Sequence, residues 1–296
     1  MVLESLMNPF QAEKHPLGIL ALGAIYATIG LFLALWVFEN QAGIVMVFLT
    51  VLACVPLFYQ TMIFEEKKTL KSKSEWRLIK EHGRAFLFFI MLFIGATMAF
   101  TFWYTVLPSE SVEKVFNVQM DTINNINSDV SGNFVGTPFQ QKLFGQIVLN
   151  NIKVMIFSLF FSLLYGAGAI FILVWNASVI SAAFGNFIRT YVSYLLNIMQ
   201  LPTLSAYTKV VSLSVLRYSL HGIPEVLAYF VAGLAGGILS VAIIRKEFNY
   251  KKFEKIMLDF TNLVFLALLI VLISGVIEVY ITPVIFQNYH QSILTP

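Results

Sequence analysis

The residues of this sequence that could do chemistry are few, and most sit in apolar surroundings. They are Asn150, Asn151 and Lys153, then Arg189, then His221-Gly-Ile-Pro-Glu225, and finally Glu278. His221 and Glu225 are four residues apart, so a helix puts both on one face. Pro224 is tolerated in a first helical turn, where its missing N–H costs little. Glu225 then lies near the positive end of the helix dipole, which stabilises a carboxylate. Two readings stay open. One is an ion, metal or proton site completed by Glu278. The other is a helix start held by a dipole-stabilised acid beside an interfacial histidine. One histidine and two carboxylates without a fixed spacing are a poor metal-ligand pattern, so no metal and no cofactor are expected. The chain has no His-Glu-x-x-His and no Gly-x-Ser-x-Gly, which removes the commonest hydrolase signatures. No catalytic residue is assigned and an enzyme is not expected. An intramembrane hydrolase using His221 and Glu225 is the minor alternative.

The elements that must position these side chains are long apolar blocks. Mean hydropathy is +0.79, and charged residues make up 12% of the chain, about half the usual share of soluble domains. Each block is about 20 residues long, enough for a helix to cross roughly 30 Å of hydrocarbon. Lipid offers backbone amides no partner, so such blocks must be helical. Seven spans are predicted, at about 17–38, 42–64, 85–107, 146–174, 177–199, 220–244 and 257–283. The fold class is therefore an all-α polytopic transmembrane bundle, read as a single integral membrane domain over residues 1–296.

Charge sets the expected orientation. Of 19 Lys and Arg residues, seven fall between Lys67 and Arg84 and five between Arg245 and Lys255. Short basic loops at span ends stay in the cytoplasm, which puts the N-terminus inside and the C-terminus outside. The segment 108–145 then lies outside, with Glu110, Glu113, Asp121 and Asp129 against Lys114 and Lys142. Apolar residues at helical spacing before Asn124 predict a short amphipathic helix followed by an irregular polar loop. Leu201–Ser219 reads as a second amphipathic helix in the outer interface. The first apolar block is too long for a signal peptide and is followed at once by another. Cys54 is the only cysteine, so no disulfide is expected within the chain.

This topology carries Asn150, Asn151, Lys153, His221, Glu225 and Glu278 to one layer near the outer leaflet. Charges at span depth need partners, so Lys153 or Arg189 is expected to neutralise a glutamate. The stripe Asn151, Ser158, Ser162, Gly166 and Ala169 on span four, with Gly168 beyond it, suits close helix packing, as do Gly233, Gly236 and Gly237 on span six. Asn176 is expected in the turn between spans four and five.

From Gln146 to Pro283 the chain resembles the stage II sporulation protein M family of integral membrane proteins. The resemblance is carried by Asn150-Asn151, Phe157, Gly166-Ala-Gly168, Trp175-Asn176, Gly185, His221 to Glu225, Gly233 to Gly237, and Ile277-Glu278-Val-Tyr-Ile-Thr282-Pro283. Pro56-Leu-Phe-Tyr and Glu65-Glu66 resemble an archaeal-type version. Ser162 and Ala177 stand where glycine is common in bacterial members. In endospore formers the family member belongs to a membrane complex that anchors peptidoglycan-degrading partners during engulfment. Other members occur where there is neither sporulation nor peptidoglycan. The resemblance thus implies a membrane-embedded assembly or remodelling component without catalysis of its own. The expected function is a non-enzymatic scaffold in the cell membrane, with membrane lipids, other membrane proteins or further copies of itself as partners, and no nucleic acid. The alternative is a transporter or channel for an ion, lipid or small solute, using the outer polar layer.

Overall fold

The computed structural model describes residues 15–71, 75–130, 137–165, 168–197, 203–245 and 250–285. Among them there are helices and no strand. They are α1 (Pro16–Val37), a 3-10 turn (Glu39–Gln41), α2 (Ala42–Lys71), α3 (Glu75–Val106), α4 (Ser109–Val130), α5 (Thr137–Tyr165), α6 (Ala169–Asn197), α7 (Thr203–Ile244) and α8 (Tyr250–Val276), with a π-helical turn at Ile277–Ile281. Among the described residues, seven stretches are long and apolar enough to cross a membrane: Pro16–Val37, Glu39–Leu70, Ala85–Val106, Gln140–Leu164, Ala169–Asn197, Gly222–Ile244 and Tyr250–Ile285. The protein is an all-α polytopic helical membrane bundle.

Gly222–Ile244 is the central span. Protein covers 83% of its apolar window, against 28–50% for the other six. Small residues let neighbours approach it closely. A Cβ on Gly233 would lie 2.7 Å from the Ala169 Cβ, and one on Gly236 would lie 2.5 Å from the Leu159 carbonyl oxygen. Ser158 and Ser162 of α5 donate hydroxyl hydrogen bonds to the Tyr229 and Gly233 carbonyls at 3.0 and 2.6 Å. Both bonds join residues 71 apart, so α5 and α7 run parallel. One continuous core draws buried side chains from all eight helices. A second, smaller core joins Phe187, Ile188, Val192 and Leu195 of α6 to Ala206, Val210 and Leu213 of α7.

Several boundaries differ from the sequence reading. The turn between the fourth and fifth spans falls between Tyr165 and Ala169, about ten residues earlier than expected. The Phe161 carbonyl passes 2.2 Å from where a Gly168 Cβ would be, so this tight return admits only glycine. Gly168 is thus part of a turn rather than a span-packing face, and Gly166 lies outside the described residues. Asn176 is inside α6, where its Nδ2 donates to the Ile172 carbonyl at 2.7 Å; it does not cap a turn. The polar stretch after Ile123 continues α4 to Val130 instead of forming an irregular loop. Residues 203–219 are helical as expected, and they join the span without a break. Their apolar side packs on the end of α6, and that packing carries the helix past the span.

Candidate functional site

Call the end of the bundle that holds Glu65, Glu66, His82, Arg245 and Asp259 the basic end, and the opposite one the far end. At the far end, Glu225 lies one residue after Pro224 inside α7. Proline has no N–H, so the Leu220 carbonyl loses its i+4 donor there. Glu225 is half-buried, and its Oε1 accepts a 2.6 Å hydrogen bond from the fully buried Tyr229 hydroxyl. Glu278 sits in the π-helical turn that follows α8. Wider π geometry arises where a helix is locally interrupted, often at functional positions. Here Thr282 closes the turn, donating both its N–H and its hydroxyl to the Ile277 carbonyl, the latter at 3.0 Å. Glu278 is close enough to Glu225 and Tyr229 to act on both through space. The structure thus brings the two glutamates together, with a phenol that the sequence reading did not include.

The other expected members divide. Asn151 is buried, 3% exposed, and its Nδ2 has no hydrogen-bond partner. The α5–α7 register places it level with Gly222, about one turn from Glu225. Asn150 and Lys153 are exposed, because a helix that buries Asn151 turns its neighbours away. The His221 side chain lies outside the described residues. Arg189 does not neutralise a glutamate. It is 20 residues into α6, at the far end rather than mid-span, and it donates to the Leu107 carbonyl just beyond the C-terminus of α3. Its guanidinium also lies 5.7 Å from the centre of the Tyr104 ring. A cation at a helix C-terminus satisfies the orphan carbonyls and the negative dipole end. Of the expected packing residues, Ser162 and Gly233 bond to each other as described above, and Gly237 is buried in the central span.

A second buried polar cluster, at the basic end, has no counterpart in the sequence reading. α2 and α3 continue past their spans as helices, so Glu65, Glu66, Thr69 and His82 enter the bundle fully buried, together with Asp259 of α8. The His82 Nδ1 is 2.6 Å from Glu65 Oε2, and its Nε2 is 3.3 Å from Asp259 Oδ2. Thr69 donates to the same Asp259 oxygen at 2.9 Å. Lys68 donates to Glu65 Oε1 at 2.6 Å, and Arg245 to Glu66 Oε2 at 3.1 Å. Burial alone would lower the His82 pKa, but hydrogen bonds to Asp259 and Glu65, and their charges, push it up to about 9. The ring therefore carries a proton between the two acids. The 2.6 Å gap has room for that proton and for nothing larger. Among the described residues no group of three His, Cys, Asp or Glu side chains is placed to hold a metal ion. One signal did point here: Asp259 is an ionisable residue inside an apolar block, as Glu278 is.

No curated protein and no solved structure gives a significant match. The family described as stage II sporulation protein M matches residues 84–283, more than half of the chain. That range holds Arg189, Glu225, Arg245, Asp259 and Glu278, while Glu65, Glu66 and His82 lie before it. With all seven apolar spans and the glycine-lined central helix in place, the chain belongs to the stage II sporulation protein M family.

Proposed function

We propose that this protein is a non-enzymatic assembly component of the cell membrane, with its N-terminus in the cytoplasm and its C-terminus outside. Family membership and the basic loops at one end support this reading. The observation that carries it is the α6–α7 hairpin. α7 is 42 residues long, about 63 Å at 1.5 Å per residue, roughly twice the hydrocarbon thickness. Its first half and the end of α6 form a packed arm with a core of its own. On α6 the arm exposes Asn186, Thr190, Ser193 and Asn197, a polar stripe at spacings of four, three and four. On α7 it exposes Leu204, Tyr207, Val211 and Val215, an apolar stripe along the same arm. A packed two-sided arm, made of the end of the α6 span and the part of α7 that precedes its own span, suits docking rather than catalysis. Cysteine labelling tests the orientation. In a Cys54→Ala background, Thr208→Cys should react with an impermeant maleimide in intact cells. Labelling only after permeabilisation would reverse the topology. Photo-crosslinking from Val211 in native membranes tests the docking role, and only lipid adducts would end it.

A second reading, a transporter or channel for an ion or small solute, is favoured by one observation: the pairing of Glu225 with Glu278. Flux in reconstituted vesicles, lost in Glu278→Gln, would move the protein to that class.

A further inference from the structure

The outer side of α5 changes character part-way along the helix. From the far end inward, its exposed residues are Lys142, Gln146, Asn150 and Lys153, and then Phe157, Phe160 and Leu164. The steps are four, four, three, four, three and four residues, so a helix holds all seven on one face. That face is opposite the one through which Asn151, Ser158 and Ser162 are buried. Leu149 and Ile156 flank it and are exposed as well. Protein covers only 28% of the apolar window of this helix, so the face meets the surrounding membrane. Its far-end half is polar and carries two cations, and the rest is aromatic and aliphatic.

A phospholipid has the same order, a charged headgroup and then an acyl chain. The level fits too. Ser158 and Ser162 each bond a carbonyl 71 residues further along the chain, so Lys153 is level with Pro224, at the far-end edge of the Gly222–Ile244 stretch. A cation facing lipid is costly without a partner, and none of the ion pairs among the described residues includes Lys153 or Lys142. The long lysine stem lies along apolar surface while its ammonium reaches for the interface. Asn150 is three residues away, about 4.5 Å along the axis, so its amide can donate to the same phosphate as the ammonium. Lys142 is eleven residues from Lys153, about 16 Å along the axis, too far to share one headgroup. A second copy meeting this stripe across a twofold axis would set lysine against lysine. A free phosphate would leave the aromatic half of the stripe unused.

We propose that Lys153 and Asn150 hold the phosphate of an anionic phospholipid whose acyl chain lies along Phe157, Phe160 and Leu164. The site goes beyond the assembly role and shares no residue with the α6–α7 arm, so either reading can fail without the other. The test uses the full chain in micelles that contain equal amounts of phosphatidylglycerol and phosphatidylcholine, with retained lipid weighed by native mass spectrometry. Phosphatidylglycerol should be retained in preference. Lys153→Gln should cut that preference about fivefold, the worth of one basic residue at an anionic surface. Lys153→Arg should keep it, and Asn150→Ala should lower it by less. Lys142→Gln, the control for general surface charge, should leave most of it. Lipid held elsewhere on the chain is common to all variants, so the differences between them read this stripe. In native membranes, a benzophenone side chain at Phe160 should crosslink to lipid, a readout that does not depend on any of the charge variants. An undiminished preference in Lys153→Gln would overturn the proposal. So would an equal loss in Lys142→Gln, or crosslinks to protein alone.

Discussion

At the basic end, three fully buried carboxylates (Glu65, Glu66 and Asp259) meet three cations: His82, Lys68 and Arg245. At the far end, Glu225 and Glu278 meet a neutral phenol. The first cluster balances its charge within the chain once His82 is protonated. It joins α2 and α3, whose Glu65, Glu66 and His82 precede the family-matched range, to Arg245 and Asp259 within it. Charge-balanced networks of this kind fix helix positions. The far-end pair has no cationic partner among the described side chains, and acids at span depth usually face the protein interior and mark functional positions. The difference separates a clamp from a candidate site.

The largest expected effect tests the clamp. His82→Gln leaves Glu65 and Asp259 buried without their shared cation, which costs about 3–5 kcal/mol when one partner of a buried pair is removed. Thermal unfolding in detergent measures it, and a loss no greater than that of Glu225→Gln would erase the distinction between the ends. Packing comes next. Gly233→Ala forces a methyl against Ala169, and overpacking of this kind costs about 1–3 kcal/mol. The effect should be independent of pH, which separates mere disturbance of the central helix from loss of the basic-end cluster.

pH sharpens the comparison further. The folded His82 pKa, about 9, is raised above its ordinary 6.5, so its contribution is fully present below about 6.5 and is lost as pH rises through about 9. Melting temperature should therefore fall across that window in the wild type, and the fall should vanish in His82→Gln. A smaller effect is expected for Arg189→Met, about 1 kcal/mol for a lost cation at a helix end and its ring contact. Thermal unfolding measures it, and a loss as large as that of His82→Gln would show Arg189 to be more than a helix cap. Smallest of all is Glu225→Gln, where loss of like-charge repulsion offsets the weakening of the Tyr229 hydrogen bond, which the glutamine oxygen still accepts. A melting temperature within a few degrees of wild type is expected, and collapse there would mean the far end is a clamp too.

Much of the architecture was legible because lipid leaves the backbone no choice. Seven apolar blocks had to be seven helices, and the 3-10 turn at Glu39–Gln41 falls where a polar tripeptide interrupts them. Helix ends were less legible. Asn176 resembles a turn residue, yet the break came at Gly168, where a neighbouring carbonyl leaves no room for a Cβ. The far-end pair was legible too, since depth in the bilayer follows from span counting alone. Asn151 could be separated from Asn150 and Lys153 only once it was known which side of α5 meets α7.

The basic-end cluster shows where sequence stops. Glu65-Glu66-Lys67-Lys68 reads as a solvated charge run, and nothing local distinguishes it from one. Its partners are 17 and 177 residues apart along the chain: Glu65 to His82, and His82 to Asp259. Only helix packing brings them within hydrogen-bond distance. The sequence by itself determined which stretches must be helical and can cross, and at which end the basic loops gather, because transfer to hydrocarbon depends on composition and length. Tertiary structure alone decided which charges meet, because pairing at 3 Å depends on the rotation and register of helices that are remote in sequence.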